Sequence, residues 1–150
     1  MLFSYQKELN GKNIGVVFGS FAPLHQGHLD LIMRAKREND GGCIVIVCGY
    51  NGDKGEPLMP HKKRYRYVRE FFADDDLVAV YPIDETELGI EAYPNGWTKF
   101  MNKVEEIIER ATLMCEAVFY VSEPEYFVYL DSAGYEVVML DRYENPISAT

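Results

Sequence analysis

The stretch IGVVFGSFAPLHQGHLDLI, residues 14–32, decides the fold of this 150-residue chain. Its first five residues are apolar or small without alternation, which is typical of a strand covered on both faces in a parallel sheet. Gly19 permits a tight turn and close approach by a ligand, and Pro23 ends any strand. From Gln26 onward the apolar residues recur at helical spacing. The stretch therefore predicts a buried strand, a compact loop and a helix.

Further apolar runs and helical patterns extend this arrangement along the chain. Strands are predicted over 14–18, 43–48, 77–81, 117–121 and 135–140. Helices are predicted over 26–38, 61–73, 95–110 and 123–132, the first with Leu29, Ile32, Met33 and Lys36 on its inner stripe. Alternating strands and helices predict an α/β fold, a doubly wound parallel five-stranded sheet with helices on both faces. No repeat or linker divides residues 1–150, so we expect a single domain.

Charge and cysteine content narrow the class of protein. The net charge of −9 gives no general attraction for nucleic acid or an anionic membrane. No apolar run approaches the roughly 20 residues that span a bilayer, and the N-terminus lacks a secretory signal pattern, so a cytoplasmic protein is expected. Cys43 and Cys48 lie on one strand with side chains on opposite faces, and they cannot bridge each other. We expect buried free thiols.

Positive charge is concentrated in one segment. Five of the 15 Lys and Arg residues are Lys62, Lys63, Arg64, Arg66 and Arg69. In an acidic chain such a segment is consistent with a small anionic ligand, but taken alone it favours a solvated helix face. Two long polar loops, 49–60 and 83–95, follow predicted strands, and open α/β sheets bind ligands at the carboxyl ends of their strands.

Two histidines lie where the first helix begins. His25 comes immediately before it and His28 lies in its first turn. Helix N-termini offer unpaired N–H groups and a positive dipole end, which favour phosphate. Gly27 keeps the surface between the rings open to a bulky anion. No cysteine or third histidine lies nearby in the sequence, so a zinc site is disfavoured.

The full run GSFAPLHQGH resembles the H-x-G-H signature of the nucleotidyltransferase superfamily, and its continuation resembles the adenylyltransferase domain of NadR-type proteins. The resemblance implies a Rossmann-like fold. It implies that His25 and His28 bind the triphosphate and stabilise the transition state, as the catalytic residues. It also implies phosphate contacts from Gly19, Ser20 and Phe21.

Weaker resemblances follow along the chain. The segments GYNGDKGE and KKRYRYVREFF are similar to the family's second loop and helix, which implicates Lys54 and Arg64 in phosphate binding. VSEPEY resembles its nucleotide-side loop. NPISAT resembles the start of its I-S-x-T-x-x-R signature, which implicates Ser148 and Thr150. The signature's arginine falls beyond Thr150, so a domain truncated at this motif is expected, with a kinase domain only in a longer protein.

Trp97 is the only tryptophan and follows a Pro-Asn-Gly turn. Its ring could simply pack into the core. The resemblance instead implies a platform for nicotinamide mononucleotide, whose cationic pyridinium ring suits a tryptophan face.

The reaction implied by the resemblance transfers AMP from ATP to nicotinamide mononucleotide, giving NAD and pyrophosphate. Mg²⁺ would be held through the triphosphate, with no protein metal site. Two alternatives stay open: a nucleotidyltransferase for another small phosphate, and a non-catalytic NAD- or ATP-binding regulatory domain. Whether the protein is a homo-oligomer is also open.

Overall fold

A five-stranded parallel sheet forms the centre of the part of the molecule that the structure describes. The computed structural model describes residues 7, 9–49, 59–91, 95–113 and 115–140. The strands are β1 Asn13–Gly19, β2 Cys43–Gly49, β3 Val78–Asp84, β4 Glu116–Val121 and β5 Glu136–Met139. Their order is β3-β2-β1-β4-β5, and every neighbouring pair is parallel. All five predicted strands are confirmed.

Within the described ranges, four helices cover the two faces of this sheet. They are α1 Gln26–Glu38, α2 His61–Phe71, α3 Trp97–Ala111 and α4 Pro124–Ser132. One core layer joins the sheet to α1 and α2, and a second layer joins it to α3 and α4. The predicted doubly wound, Rossmann-like architecture is confirmed, with helix ends within two residues of the predicted ones. None of the described helices has the combined length and apolarity needed to cross a bilayer.

The strand order reverses direction between β1 and β4. From β1 the chain moves through β2 to β3, and it then returns to the other side of β1. Such a switch point opens a crevice at the carboxyl ends of the two strands, where doubly wound sheets bind ligands. The loops after β1 and β4 both start there.

The inner face of α1 is wider than its predicted stripe. Leu31, Ile32 and Ala35 are its buried residues, whereas the predicted Leu29 and Met33 only pack at the margin. The reason is close packing at Gly15 of β1, where an added Cβ would lie 2.8 Å from the Cβ of Ala35. Two small residues therefore let helix and strand approach, and this fixes the position of the helix N-terminus.

Lys36 ends this face with an ion pair rather than an apolar contact. Its Nζ lies 2.7 Å from Oδ2 of Asp75, and both side chains are about one quarter exposed, at 23%. Burial raises the pKa of Asp75, but the hydrogen bonds from Lys36 and from the Leu77 backbone, with the neighbouring lysine charges, lower it below its ordinary value overall. The pair ties α1 to the turn between α2 and β3.

The cysteines are reduced thiols, as predicted for Cys43 and Cys48. Both are buried, and they belong to opposite core layers. Burial raises the pKa of each of these two thiols far above the ordinary range. Cys115 is half-buried.

Candidate active site

The loop between β1 and α1 contains a residue with left-handed backbone. Phe21 has φ of 49°, a left-handed value that side chains rarely adopt, and its ring is only 1% exposed. Gly19 does not supply the left-handed conformation, and an added Cβ there would make only ordinary contact with the Phe21 ring at 3.7 Å. Phe21, rather than Gly19, therefore has the left-handed conformation of this turn, and packing of its aromatic ring holds it.

Both histidines cap α1. The Gly27 N–H donates to Nδ1 of His25 at 3.1 Å, and the His25 N–H donates to Nδ1 of His28 at 3.2 Å. This reciprocal pair is a capping box in which imidazoles replace the usual hydroxyl and carboxylate. Because each Nδ1 accepts a hydrogen bond, the proton of each neutral ring lies on Nε2. The cap thus fixes both rings in one tautomer.

The two rings are also held against each other. The centroids of His25 and His28 are 3.7 Å apart with 23° between the planes, and the edge of Phe21 packs on His28 at 4.7 Å. The pair therefore forms one rigid donor unit beside the N–H groups of the first turn. Such a constellation is suited to negative charge that develops during a reaction.

Arg64 lies beneath this loop and is completely buried. Its Nε donates to the Met59 carbonyl at 2.9 Å, and its Nη1 donates to the carbonyls of Ser20 at 2.9 Å and Cys48 at 3.3 Å. The guanidinium therefore joins the ends of three segments around the loop. The predicted phosphate contact of Arg64 stays a prediction, and the observed bonds make it a positioning residue for Ser20.

An aromatic cluster occupies the other side of the switch point. The Phe18 ring lies near three other aromatic rings. The distances between ring centroids are 6.3 Å to Trp97, 5.3 Å to Phe100 and 5.2 Å to Tyr126. Trp97 stacks nearly parallel to Tyr126, with 15° between the planes, and also contacts Tyr129. Its ring is half-buried, so it is part core residue and part surface.

Most of this cluster is not evident from the sequence, which indicates only a strand at Phe18 and a resembling loop at Tyr126. Burial raises the pKa of Tyr126, aided by Cys48 and the carboxylates of Glu85 and Glu125, so its hydroxyl is neutral near pH 7. The sequence did contain a signal for this cluster. Phe18 is the next-to-last residue of β1, and it comes just before the loop that carries the two histidines.

Gly96 explains why Trp97 reaches this place. A side chain at Gly96 would collide with the backbone of Glu91, so only glycine allows the start of α3 to pack against that segment.

Lys54, Ser148 and Thr150 lie outside the described residues. Among those described, no three His, Cys, Asp or Glu side chains converge as a metal site would require.

A family model described as cytidylyltransferase-like matches residues 16–150. The chain belongs to the cytidylyltransferase-like family. Its nucleotidyltransferase character is thereby confirmed, and so is the predicted similarity to NadR-type proteins, which the relatives below display.

Two kinds of relative match this family member. The trifunctional NAD biosynthesis/regulator protein NadR of Salmonella typhimurium is 30% identical over 139 residues, which cover 87% of this chain and 33% of NadR. The phosphopantetheine adenylyltransferase of Kocuria rhizophila is 39% identical over 66 residues, 44% of this chain and 40% of that enzyme. The chain thus spans about a third of the length of the NadR relatives it matches.

Solved structures agree with this assignment. A NadR protein in complex with NR superimposes with a TM-score of 0.81 at 37% identity, over 93% of this chain and 40% of that one. A NadR complex with NAD and AMP-PNP gives 0.78 at 38% identity, over 92% and 40%. This nucleotidyltransferase therefore shares its fold with part of NadR, and the shared part covers more than nine-tenths of the present chain.

Proposed function

We propose that the protein transfers the adenylyl group of ATP to nicotinamide mononucleotide, giving NAD and pyrophosphate. The observation that carries the proposal is the pairing of two features at one switch point. On one side of the β1 terminus lie His25 and His28, with their protons on Nε2, and on the other lies the half-exposed Trp97. Phosphate chemistry and a flat ring can therefore be accommodated together.

The histidine side of the site is assigned to ATP. The phosphate oxygen of the mononucleotide attacks the α-phosphorus in line, and the bond from that phosphorus to the leaving pyrophosphate breaks. The attacking phosphate is already anionic, so no serine or cysteine nucleophile is needed. The Nε2–H groups and the positive dipole end of α1 stabilise the charge that develops on the phosphates.

ATP enters this proposal as its magnesium complex. The ion is carried by phosphate oxygens and water. The family resemblance adds Lys54, Ser148 and Thr150 to the triphosphate contacts. Those contacts stay predictions, as do the roles of Gly19, Ser20, Phe21 and Arg64 at the phosphates.

The tryptophan side is assigned to the acceptor. The pyridinium ring of nicotinamide mononucleotide is cationic, and cations favour the electron-rich face of tryptophan. The NadR relatives, named for NAD biosynthesis, and the NadR complexes with NR and with NAD support this choice. The match to phosphopantetheine adenylyltransferase, which covers less than half of the chain, makes phosphopantetheine the competing acceptor.

The test is a product assay with purified protein. ATP, Mg²⁺ and nicotinamide mononucleotide are incubated with the chain, and NAD and pyrophosphate are both quantified. Parallel reactions replace the acceptor with phosphopantetheine or glycerol phosphate. NAD formation with little product from the other acceptors supports the proposal. Product from another acceptor alone would reassign the substrate, and nucleotide binding without any product would favour a regulatory domain.

A second protein tests the arginine of the resembling signature. It carries three extra residues that place an arginine third after Thr150, as the resembling signature requires. We propose that residues 1–150 form the nucleotidyltransferase unit, with this arginine adding a bidentate phosphate contact. Higher turnover of the extended chain than of the original supports this, and equal turnover contradicts it.

A further inference from the structure

The outer surface of α2 carries a stripe that the proposed reaction does not use. Lys63, Tyr67, Phe71 and Asp74 follow one another at helical spacing, and we call them the α2 stripe. Tyr67 is 51% exposed and Phe71 52% exposed. Large aromatic side chains at half exposure, next to each other on one helix, are unlike the scattered apolar residues of an ordinary surface.

A groove adjoins the C-terminal half of this stripe, at Phe71 and Asp74. It has a volume of about 620 Å³ and runs between α1 and the turn after α2. Met33, Phe71, Phe72 and Leu77 supply its apolar lining, and Asp74 and Asp76 supply the acidic part, because Asp75 is paired with Lys36. Leu77 is itself 47% exposed. The groove is therefore suited to an aromatic side chain accompanied by a positive charge.

The N-terminal half of the α2 stripe offers this combination, because the aromatic Tyr67 lies one turn from the positive charge of Lys63. Its order is basic, aromatic, aromatic, acidic, from Lys63 in the first turn to Asp74 after the last. If a second copy of the helix runs antiparallel to the first, Lys63 of each copy lies opposite Asp74 of the other. We propose that two copies of this chain associate through α2, antiparallel about a two-fold axis that passes between Tyr67 and Phe71.

In this arrangement each contact occurs twice. Tyr67 of one copy packs on Phe71 and the groove of the second copy, and Lys63 pairs with Asp74. Two-fold interfaces require such self-complementarity, because the same patch serves both subunits. The charge of −9 on each chain opposes non-specific association, so only a locally complementary patch brings copies together.

The size of the surface sets the expected strength. A pair of 11-residue helices with their flanking turns buries less than the roughly 800 Å² per partner of a standard stable interface. We therefore expect a dimer with a dissociation constant on the order of micromolar. Sedimentation equilibrium at loading concentrations of about 1–100 µM covers this range.

Charge reversal tests the pairing directly. Lys63→Glu and Asp74→Lys each place two like-charged pairs across the axis, and each should weaken the dimer by roughly tenfold or more. The double variant K63E/D74K restores opposite charges and should dimerise within about threefold of the original. Glu109→Lys, an exposed reversal on α3 behind the sheet, is the matched control and should leave the dimer unchanged.

Three results would overturn the proposal. They are a chain that stays monomeric at every concentration, a dimer that both single reversals leave unchanged, and a double variant no better than the singles. Circular dichroism of every variant checks that the helices are intact. The charged residues are exposed, so the fold itself should not change. The oligomeric state is measured without substrate, and a failed adenylyl-transfer assay would leave this proposal untouched.

Discussion

The two ring nitrogens of His28 have separable roles. Nδ1 accepts the backbone N–H of His25 and closes the capping box, whereas Nε2 carries the proton assigned to the phosphates. The residue at this helix position is usually Glu or Gln, which can accept the same N–H. His28→Gln therefore keeps the cap and loses the imidazole. His28→Ala loses both.

The expected magnitudes differ between stability and turnover. Loss of a helix cap destabilises a protein by about 1 kcal/mol, within a range of roughly 0.5–2. Loss of one donor to a developing negative charge raises the barrier by about 2.7–4 kcal/mol, or roughly 100- to 1,000-fold in kcat. We expect His28→Ala to show both effects. We expect His28→Gln to show the second with a stability close to that of the original.

The assays are urea unfolding, followed by the fluorescence of Trp97, and the rate of NAD formation. Gln26→Ala is the matched control, because it removes an exposed contact to Asp30 in the same turn and leaves both rings in place. Its turnover should change by less than about threefold. Full turnover of His28→Ala would refute the assignment, and turnover of His28→Gln equal to the original would show that capping alone matters.

Three further substitutions test other parts of the structure. Arg64→Met should lower the unfolding free energy by about 3–5 kcal/mol, because the Ser20 carbonyl and its neighbours lose a buried charged donor, while Arg64→Lys should recover part of it in the same urea titration. Trp97→Leu should raise KM for nicotinamide mononucleotide roughly 2- to 30-fold, matching about 0.5–2 kcal/mol of cation–π energy, and leave KM for ATP within about twofold. Asp75→Asn should destabilise by about 1 kcal/mol at pH 7, since the folded pKa of Asp75 is lowered; this stabilisation is complete above the ordinary value of 3.8 and is lost as pH falls through the folded value. An Asp75→Asn deficit that stays constant in urea titrations from pH 7 to pH 3 would contradict that assignment.

The arrangement of strands and helices could be predicted because local pattern and topology agree in this chain. Continuous apolar runs such as 43–48, rich in Val and Ile, are typical of strands covered on both faces, and right-handed crossovers then leave few sheet orders. The loop after β1 was placed correctly for the same reason. A strand that ends at a proline-containing turn before a helix must bring its loop to the carboxyl edge of the sheet.

The details of the site depended on contacts between distant residues. A basic segment cannot indicate that Arg64 is buried beneath Ser20 while its neighbours Lys62 and Lys63 are exposed, because the pattern of α2 gives only spacing. The left-handed backbone at Phe21 also opposes the local preference for glycine. Its conformation is imposed by packing of the ring in the core, which no short segment of sequence contains.

The thiols of β2 have a practical consequence. Cys43 and Cys48 sit on one central strand but face different core layers, the first toward α1 and α2 and the second toward α3 and α4. Because burial keeps both protonated, an alkylating reagent modifies each one only when its own layer opens. Mass spectrometry of the two modified peptides would therefore time the opening of each helical layer separately. The two native cysteines therefore report on the two core layers separately, and no introduced label is needed.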